Sequence, residues 1–430
     1  MLSSPLDDTV KTRSQEAERG DEPEILIGSR EQLFHLLAEA AEIEHTLMCS
    51  YLYAAFSLKQ KSDPGLSPEE AAAVQRWRAA VMNVAVEEMG HLLMVANLTA
   101  AIGGRPHFTR PNFPVNPGYF PSGVVLRLTP FSFNTLDHFI FLERPTGVEA
   151  RDGEGFQVLE HKREQAYLGL MPSSQEYVTV SHLYEAIRAN LIAFAERVGP
   201  HSLFVGPEHG QIGGDLMTME GIEVIVDLQG AGRAIDLIVE QGEGSPTDRQ
   251  DSHYHRFQGI KREYTALLAN NPDFAPAYPV AENPVMRRPP DPEGKVFIDA
   301  EPSARVLDLA NAAYGMLLRC LVQAYSKSAR SEKERMLAAA IDLMHVVGMI
   351  ATALAKLPAT RDHQGINAGM TFTVLRGVEP FIDGDPETKL ILERLYQLAR
   401  GAKRVEHVST EIVQAAQRLA ALASRFEATS

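Results

Sequence analysis

Glu88 and His91 lie three residues apart in a segment whose apolar residues recur every three or four positions. That spacing places a carboxylate and an imidazole on one face of an α-helix. The same face carries Val74, Trp77, Val81, Val84, Val95 and Leu98. Because such a stripe faces a core, both polar side chains are predicted to be buried. A buried carboxylate is costly unless a partner satisfies it, and a metal ion is one such partner.

Two other predicted helices place acidic side chains in apolar stripes of the same kind. Glu44 lies in the stripe of a helix predicted over residues 31–59, and Glu185 in that of a helix over 177–198. Carboxylate and imidazole ligands without thiolate favour iron, with manganese as the alternative, over copper and zinc. Di-iron carboxylate bundles take one Glu from each of two helices and a Glu-x-x-His from each of the other two.

The second Glu-x-x-His of such a site is missing from its expected place. The fourth long helix, predicted over residues 227–243, carries Glu240 and Glu243, and the nearest suitable imidazole is His253, beyond a glycine-proline break. The sequence predicts that Glu240 or Glu243 joins His253 and leaves the choice open. For a protein that binds one metal ion instead of two, the His91 side is the expected place.

Other polar residues near this pattern have plainer interpretations. A single Glu-x-x-His is more often structural than metal-binding, and Asp342-x-x-His345 is interpreted in that way. Glu87 falls off the stripe and is expected to face solvent or a neighbouring helix. His45 and His182 are predicted to be core histidines that orient a ligand by hydrogen bonding.

The elements that must position these residues divide the chain of 430 residues into four parts. Residues 1–28 are predicted to be a flexible arm, and 29–270 a helical bundle with irregular insertions. Residues 271–300 are a proline-rich connector, and 301–430 a C-terminal helical domain with helices near 302–327, 331–357 and 386–427.

A strand is predicted at 124–128. The second helix should begin with Ser67 and Glu70 in a capping box and end at Gly103. The predicted fold class is all-α.

Bulk composition excludes several classes of function. A net charge of −15 argues against binding to nucleic acid or to an anionic membrane, because both require clustered Lys and Arg. Cys49 and Cys320 lie in helical apolar patterns and indicate buried free thiols in a reducing compartment. The N-terminus lacks the apolar stretch of a signal peptide, and the apolar segment 336–357 carries Asp342, His345 and Lys356, as a core helix does. A cytoplasmic protein is predicted.

An ordered set of motifs carries a family resemblance. Glu44-His45 is followed by Tyr51-Leu52-Tyr53-Ala54, and then come residues 87–98, 102–106, 183–187, 238–244 and 252–257. These motifs resemble ferritin-like proteins related to iminophenylpyruvate dimer synthase of violacein-type pigment pathways, over about residues 30–265. The resemblance implies a ferritin-like bundle that binds one or two iron ions. The implied ligands are Glu44, Glu88, His91, Glu185, Glu240 or Glu243, and His253.

The resemblance also implies oxidative chemistry on a small amino-acid-derived or aromatic molecule in secondary metabolism. The leading hypothesis is a non-haem iron oxidoreductase that uses O₂ or peroxide, with Tyr51 and Tyr53 as candidates for lining its pocket. The irregular stretches 105–131 and 200–226 are the candidate lids. The alternative is metal storage or peroxide detoxification without an organic substrate, and a third hypothesis is a helical interaction module that has lost its metal. The expected partners are a small-molecule substrate and O₂ or peroxide, with no nucleic acid and no membrane; a homo-oligomer stays open.

Overall fold

The computed structural model describes residues 25–428 apart from residues 62, 117, 122–123, 146, 157–162, 164–168, 243–250 and 363–364. The protein is mostly helical, which confirms the predicted all-α class. The long helices are α1 (Arg30–Ser57), α2 (Pro68–Ala101), α3 (Phe133–Leu142), α4 (Val180–Val198), α5 (Leu228–Gly242), α6 (His253–Asn270), α7 (Ser303–Ser326), α8 (Arg330–Leu354), α9 (Asp385–Val405) and α10 (Thr410–Ala428). Helical turns lie at Pro200–Leu203, Glu208–Gly210 and Glu406–Val408. Two short strands, β1 (Pro284–Val285) and β2 (Val296–Phe297), pair in parallel.

Local signals set both ends of α2, as predicted. The Ser67 side chain accepts a hydrogen bond from the Glu70 amide, and the Glu70 side chain accepts one from the Ser67 amide, which completes the capping box. After the last helical residue, Gly103 has φ +91°, a left-handed conformation that glycine adopts without a steric penalty.

The two longest helices form the framework of the bundle. α1 and α2 run antiparallel, since the Arg78 guanidinium reaches the Ala55 carbonyl near one end and His91 lies beside Glu44 near the other. α4 and α6 pack on this pair, α5 packs on α4, and α3 packs on α6. This arrangement brings side chains from α1, α2, α3 and α6 into one interior space.

The C-terminal helices form two further pairs, α7 with α8 and α9 with α10, and α8 also contacts α1. One continuous hydrophobic core includes residues from both the bundle and the C-terminal helices. The boundaries predicted at 271–300 stay a prediction, although the core crosses them.

Two predicted elements differ from the structure. Residues 124–128 form no strand, and at the end of this segment the Leu128 carbonyl and amide are hydrogen-bonded to the amide and the side chain of Asn283. The helix predicted over 386–427 is two helices. It breaks after Val405, and the Ser409 hydroxyl accepts a hydrogen bond from the Ile412 amide at the start of α10.

Most of the arm predicted at residues 1–28 lies outside the described residues. Within its described part, Ile25 and Ile27 are buried, and the Ile27 amide donates to the Asn190 side chain on α4. Two described helices, α2 and α8, are long and apolar enough to cross a membrane, and 61% of the apolar window of each is buried inside the protein.

Candidate metal centre

The first cluster of potential ligands joins α1 and α2. Glu44, Glu88 and His91 are each 1–2% exposed, and each offers one atom to a common point. His91 Nδ1 lies 2.9 Å from Glu88 Oε2 and 3.5 Å from Glu44 Oε2. The predicted stripe of α2 is therefore confirmed at both of its polar positions.

The second cluster uses the other oxygen of Glu88. His253 Nδ1 lies 3.1 Å from Glu88 Oε1 and 3.6 Å from Glu143 Oε2. His253 is the first residue of α6, and Glu143 follows the last residue of α3. Glu88 thus lies between two imidazoles and presents one oxygen to each, so its carboxylate could serve as a ligand in both clusters.

Hydrogen bonds on the far side of each imidazole fix its orientation. His91 Nε2 lies 2.9 Å from Gln241 Oε1, and Gln241 Nε2 donates in turn to Glu220. His253 Nε2 lies 2.8 Å from Glu87 Oε2, and Glu87 also accepts from Arg256. In both rings Nε2 donates to these outer groups. Nδ1, which faces the carboxylates, is therefore the nitrogen available as a metal ligand.

Two tyrosines hold the outer carboxylates. The Tyr184 hydroxyl donates to Glu44 Oε1, and the Tyr51 hydroxyl donates to Glu143 Oε1. Burial, followed by the neighbouring carboxylate charges, raises the pKa of both phenols well above the usual value. Both therefore remain proton donors at neutral pH, and each leaves the second oxygen of its carboxylate for another ligand.

Charges in the two clusters balance through protonation. Burial, and then the charge of Glu88, raises the pKa of Glu44 to about 8. Burial acts to lower the pKa of His91, but the Glu88 carboxylate outweighs it and raises that pKa to about 10. The pKa of His253 is also well above its usual value, because Glu88 and Glu143 outweigh burial. Burial favours a neutral Glu88, yet the charges of His91 and His253 hold its pKa well below the usual range.

The residues present fit a pair of metal ions. The His253 Nδ1 atom is buried and makes no well-aligned hydrogen bond, although two carboxylates lie 3.1 and 3.6 Å from it. A cavity of about 20 Å³ lies among Glu44, Glu88, His91 and Glu143, enough for a water molecule or an ion. In the metal-free protein, protonated imidazoles neutralise the carboxylates, and a bound metal would replace those protons.

Two predicted ligands are exposed and belong to neither cluster. Glu185 is exposed on α4, so the prediction that it faces the core is wrong, and Glu240, one of the two alternative partners of His253, is exposed on α5. Glu243 lies outside the described residues. The physical reason for Glu185 is helical phase: α4 buries Leu183, Tyr184, Ile187, Leu191 and Phe194, whereas Ile192 is exposed like Glu185. Tyr184 and Gln241, one residue from the predicted acids, are the side chains that reach the site.

Sequence reasoning missed Glu143. The available signal was an acid directly after Phe139-Ile140-Phe141-Leu142, the end of a helix that is apolar on most faces. Glu87, expected to face solvent or a neighbouring helix, contacts His253 and Arg256 on α6.

The remaining aromatic and imidazole candidates divide between the site and its surroundings. Tyr51 contacts Glu143, as described above, whereas the Tyr53 hydroxyl donates to the Ala281 carbonyl, away from the clusters. His45 is buried and hydrogen-bonded to Tyr314, and the His182 ring accepts from the Val178 amide. Both of these hydrogen bonds go to groups outside the two carboxylate clusters.

Fold and site together define a helical bundle with a buried carboxylate–histidine centre. The model of the Ferritin-like family matches residues 37–262, and the chain belongs to that family. Among curated proteins, the chain is 27% identical over 424 residues to dichlorochromopyrrolate synthase of Lentzea aerocolonigenes, covering 90% of this chain and 40% of that protein. It is 26% identical over 358 residues to 2-imino-3-(indol-3-yl)propanoate dimerase of Chromobacterium violaceum, covering 77% of this chain and 33% of that protein.

The chain therefore spans less than half the length of these curated relatives. Among solved structures, it is similar to a ferritin-like protein from Caulobacter vibrioides, with a TM-score of 0.49 and 16% identity over 82% of this chain and 100% of that one. The predicted relationship to ferritin-like proteins of violacein-type pathways is confirmed.

Proposed function

We propose that the centre holds two non-haem iron ions and that the protein is an oxidoreductase acting with O₂ or peroxide on a small aromatic, amino-acid-derived molecule. One observation carries the proposal: the two oxygens of buried Glu88 face two different imidazoles at 2.9 and 3.1 Å. Oxygen and nitrogen donors without thiolate suit iron, with manganese as the alternative.

Each metal position would have its own set of residues. Glu44, Glu88 and His91 would hold one ion, and Glu88, Glu143 and His253 the other. Iron bound there would supply electrons to O₂ at coordination positions that protein ligands leave open. Tyr51 and Tyr184 would keep the outer carboxylates oriented through their hydroxyl groups.

The apolar wall of the site supports a role in chemistry that must exclude bulk water. Leu47, Leu142, Val180, Ile238 and Val239 surround the ligand cavity. Exclusion of water strengthens electrostatic interactions within a site and limits side reactions.

The relatives supply the proposed class of substrate. They are named as a synthase and as a dimerase, and the name of the second states that it acts on an indolyl imino acid. An enzyme of secondary metabolism acting on an aromatic 2-imino or 2-amino acid is the corresponding proposal for this chain.

Metal quantitation after reconstitution tests the centre. The protein is purified without O₂, stripped with a chelator and loaded with Fe(II), and the expected content is two iron ions per chain. Glu88→Gln removes the shared ligand, and Glu185→Gln, an exposed carboxyl on α4, is the matched control. An iron content that is equally low in the unmodified protein and in Glu88→Gln would contradict the metal centre.

O₂ consumption then tests the reaction. The iron-loaded protein is supplied with indole-3-pyruvate and ammonium ions, which form the 2-imino acid in solution. We expect O₂ uptake that depends on this substrate and is accompanied by an oxidised organic product. Uptake without any organic product would instead support the alternative of metal storage or peroxide detoxification.

A further inference from the structure

A second cavity, of about 590 Å³, lies between the helix pairs α1–α2 and α7–α8. It extends along α1 from His45 to Phe56, a distance of about 16 Å at 1.5 Å per residue. Protein interiors contain few voids larger than a water molecule, whereas small-molecule sites have volumes of about 300–1,000 Å³. The space is therefore of the size of a ligand site and too large for a packing defect. We call it the interhelix cleft.

The interhelix cleft is separate from the metal centre. Glu44 and Glu88 face the carboxylate clusters, whereas the adjacent residues His45 and Met89 line the cleft. The body of the α1–α2 pair therefore stands between the two spaces.

The walls of the cleft are apolar and adaptable. Seven of the 14 methionines of the chain line it, namely Met48, Met82, Met89, Met217, Met219, Met344 and Met349. Flexible thioethers fit irregular apolar shapes and make favourable contacts with aromatic rings. α2 and α8, the two described helices apolar enough to cross a membrane, both contribute residues to these walls.

One end of the cleft is polar and backed by a buried cation. Tyr314 and His45 line this end and are hydrogen-bonded to each other. Behind them, Arg110 is 5% exposed, and its Nη2 lies 3.4 Å from the Tyr314 hydroxyl and 3.6 Å from Cys49 Sγ. Its other hydrogen bonds go to backbone carbonyls of Pro111 and Phe372.

Arg110 has no carboxylate among these partners, and its Nε atom is buried without a hydrogen-bond partner. A buried charge without a counter-charge is unfavourable, although the Phe113 ring, 4.5 Å from the guanidinium, offsets part of the cost. An anion at the Tyr314 end of the cleft would be attracted by this charge and could accept a hydrogen bond from the phenol.

The opening of the cleft lies between α2 and α8. Val86 and Ile341 line the cleft and are 44% and 38% exposed. Arg78, Gln60 and Glu411 form the polar end opposite Tyr314. A ligand can therefore enter between the two helices and place its polar group at the buried end.

We propose that the interhelix cleft binds an elongated aromatic carboxylate, with the carboxylate at Tyr314 and His45 and the ring system between the methionines. The site is distinct from the metal centre and does not depend on bound metal.

Calorimetric titration of the full chain with indole-3-butyrate and with its neutral amide tests this proposal. We expect one molecule of the acid per chain, bound about tenfold more tightly than the amide, since a hydrogen bond to a charged group contributes about 1.5 kcal/mol. Tyr314→Phe should remove most of that preference. Tyr325→Phe is the matched control, because Tyr325 is a buried tyrosine that does not line the cleft.

A variant that fills the space tests the location. Leu318→Trp replaces an aliphatic side chain of the cleft wall with a larger indole ring and should abolish binding of indole-3-butyrate. Leu318→Phe is a milder variant if the first does not fold. Unchanged binding in a folded filled variant would place the ligand elsewhere and overturn the proposal. So would the absence of saturable binding, or equal binding of acid and amide.

Two further measurements fix the ligand class and the independence of the site. Decanoate binding more tightly than indole-3-butyrate would overturn the aromatic part of the proposal. Affinity is expected to be the same in iron-loaded and iron-free protein, so failure of the metal centre and failure of the cleft give distinguishable results.

Discussion

The two halves of the metal centre are alike in their carboxylates and different behind their imidazoles. On each side, a histidine Nδ1 faces one oxygen of Glu88, and a tyrosine hydroxyl holds the outer carboxylate. Behind His91 stands the neutral amide of Gln241, whereas behind His253 stands the carboxylate of Glu87. An imidazole that donates to a carboxylate is the more basic metal ligand.

This comparison leads us to an expectation that differs from the one drawn from sequence, and both stay predictions. Glu88-x-x-His91 is recognisable from helical spacing, and the His91 side was the predicted place for a single metal ion. We expect tighter metal binding on the His253 side, because Glu87 is itself held by Arg256 and so remains ionised: hydrogen bonds from His253 and Arg256 outweigh burial and lower the pKa of Glu87. Helical spacing therefore identifies candidate ligands, but the metal affinity expected of each half depends on contacts between helices.

Loss of Glu88 should have the largest effect, because both halves share it. In Glu88→Ala, each imidazole loses its closest carboxylate, and we expect the iron content after reconstitution to fall from two ions per chain to near zero. Inductively coupled plasma mass spectrometry gives the content, with Glu185→Gln as the control. Retention of one tightly bound ion would show that one half is complete without the bridge.

Substitution of Glu87 should separate the halves. Glu87→Gln gives His253 a neutral partner like that of His91, and loss of such an outer carboxylate typically lowers metal affinity by about 10- to 100-fold. Competition with a chelating dye measures the two dissociation constants. We expect Glu87→Gln to raise only the smaller of the two dissociation constants, so that the two metal positions become similar in affinity.

Gln241→Leu is the matched change on the other side. It removes the hydrogen bond to His91 Nε2 and should lower the metal affinity only of the position on the His91 side, which is expected to bind less tightly. If Glu87→Gln and Gln241→Leu weaken the same ion, the assignment of one imidazole to each ion is wrong.

The pH dependence of stability provides a third test. In the metal-free protein, the pKa of Glu44 is raised to about 8 and that of His91 to about 10, so both groups bind protons more tightly in the folded than in the unfolded state. The stability that His91 contributes is fully present below its unfolded pKa of about 6.5 and is lost as pH rises through about 10. The raised pKa of Glu44 likewise lowers stability as pH rises from about 4.5 through about 8.

Bound metal replaces these protons, so its effect has the opposite trend. We expect the unfolding temperature of metal-free protein to fall between about pH 6 and about pH 9, and the increase on adding metal to be larger at the higher pH. Differential scanning calorimetry with and without a chelator measures both. A metal-induced increase that is larger at about pH 6 would contradict the protonation of the imidazoles.

Much of the framework could be predicted from sequence, because the signals are local. The capping box at Ser67, the glycine end of α2 and the stripe containing Glu88 and His91 depend on residues within a few turns of one another. The all-α class followed from these helices, whereas the ferritin-like relationship followed from the resemblance of an ordered set of sequence motifs to that family.

The rest of the site depends on tertiary contacts that spacing does not encode. Glu143 follows the end of a short helix, and His253 lies in the first turn of another, so neither belongs to a periodic stripe that meets Glu88. The prediction for Glu185 was wrong for a different reason. An error of one residue in helical phase exchanges a buried for an exposed position, and Tyr184 occupies the buried position.

The two tyrosines provide the finest test of the comparison. Tyr51→Phe removes the hydrogen bond to Glu143, and Tyr184→Phe removes that to Glu44. Each should weaken the ion of its own half by a few-fold, since a hydrogen bond to a charged group contributes about 1.5–3 kcal/mol and the freed carboxylate oxygen can turn towards the metal and recover part of it. Tyr53→Phe is the matched control, because Tyr53 is buried on the same helix and bonded to a backbone carbonyl. Dye competition on the three variants should assign Tyr51 to the tighter ion and Tyr184 to the weaker, because each carboxylate shares its ion with the histidine of its own half.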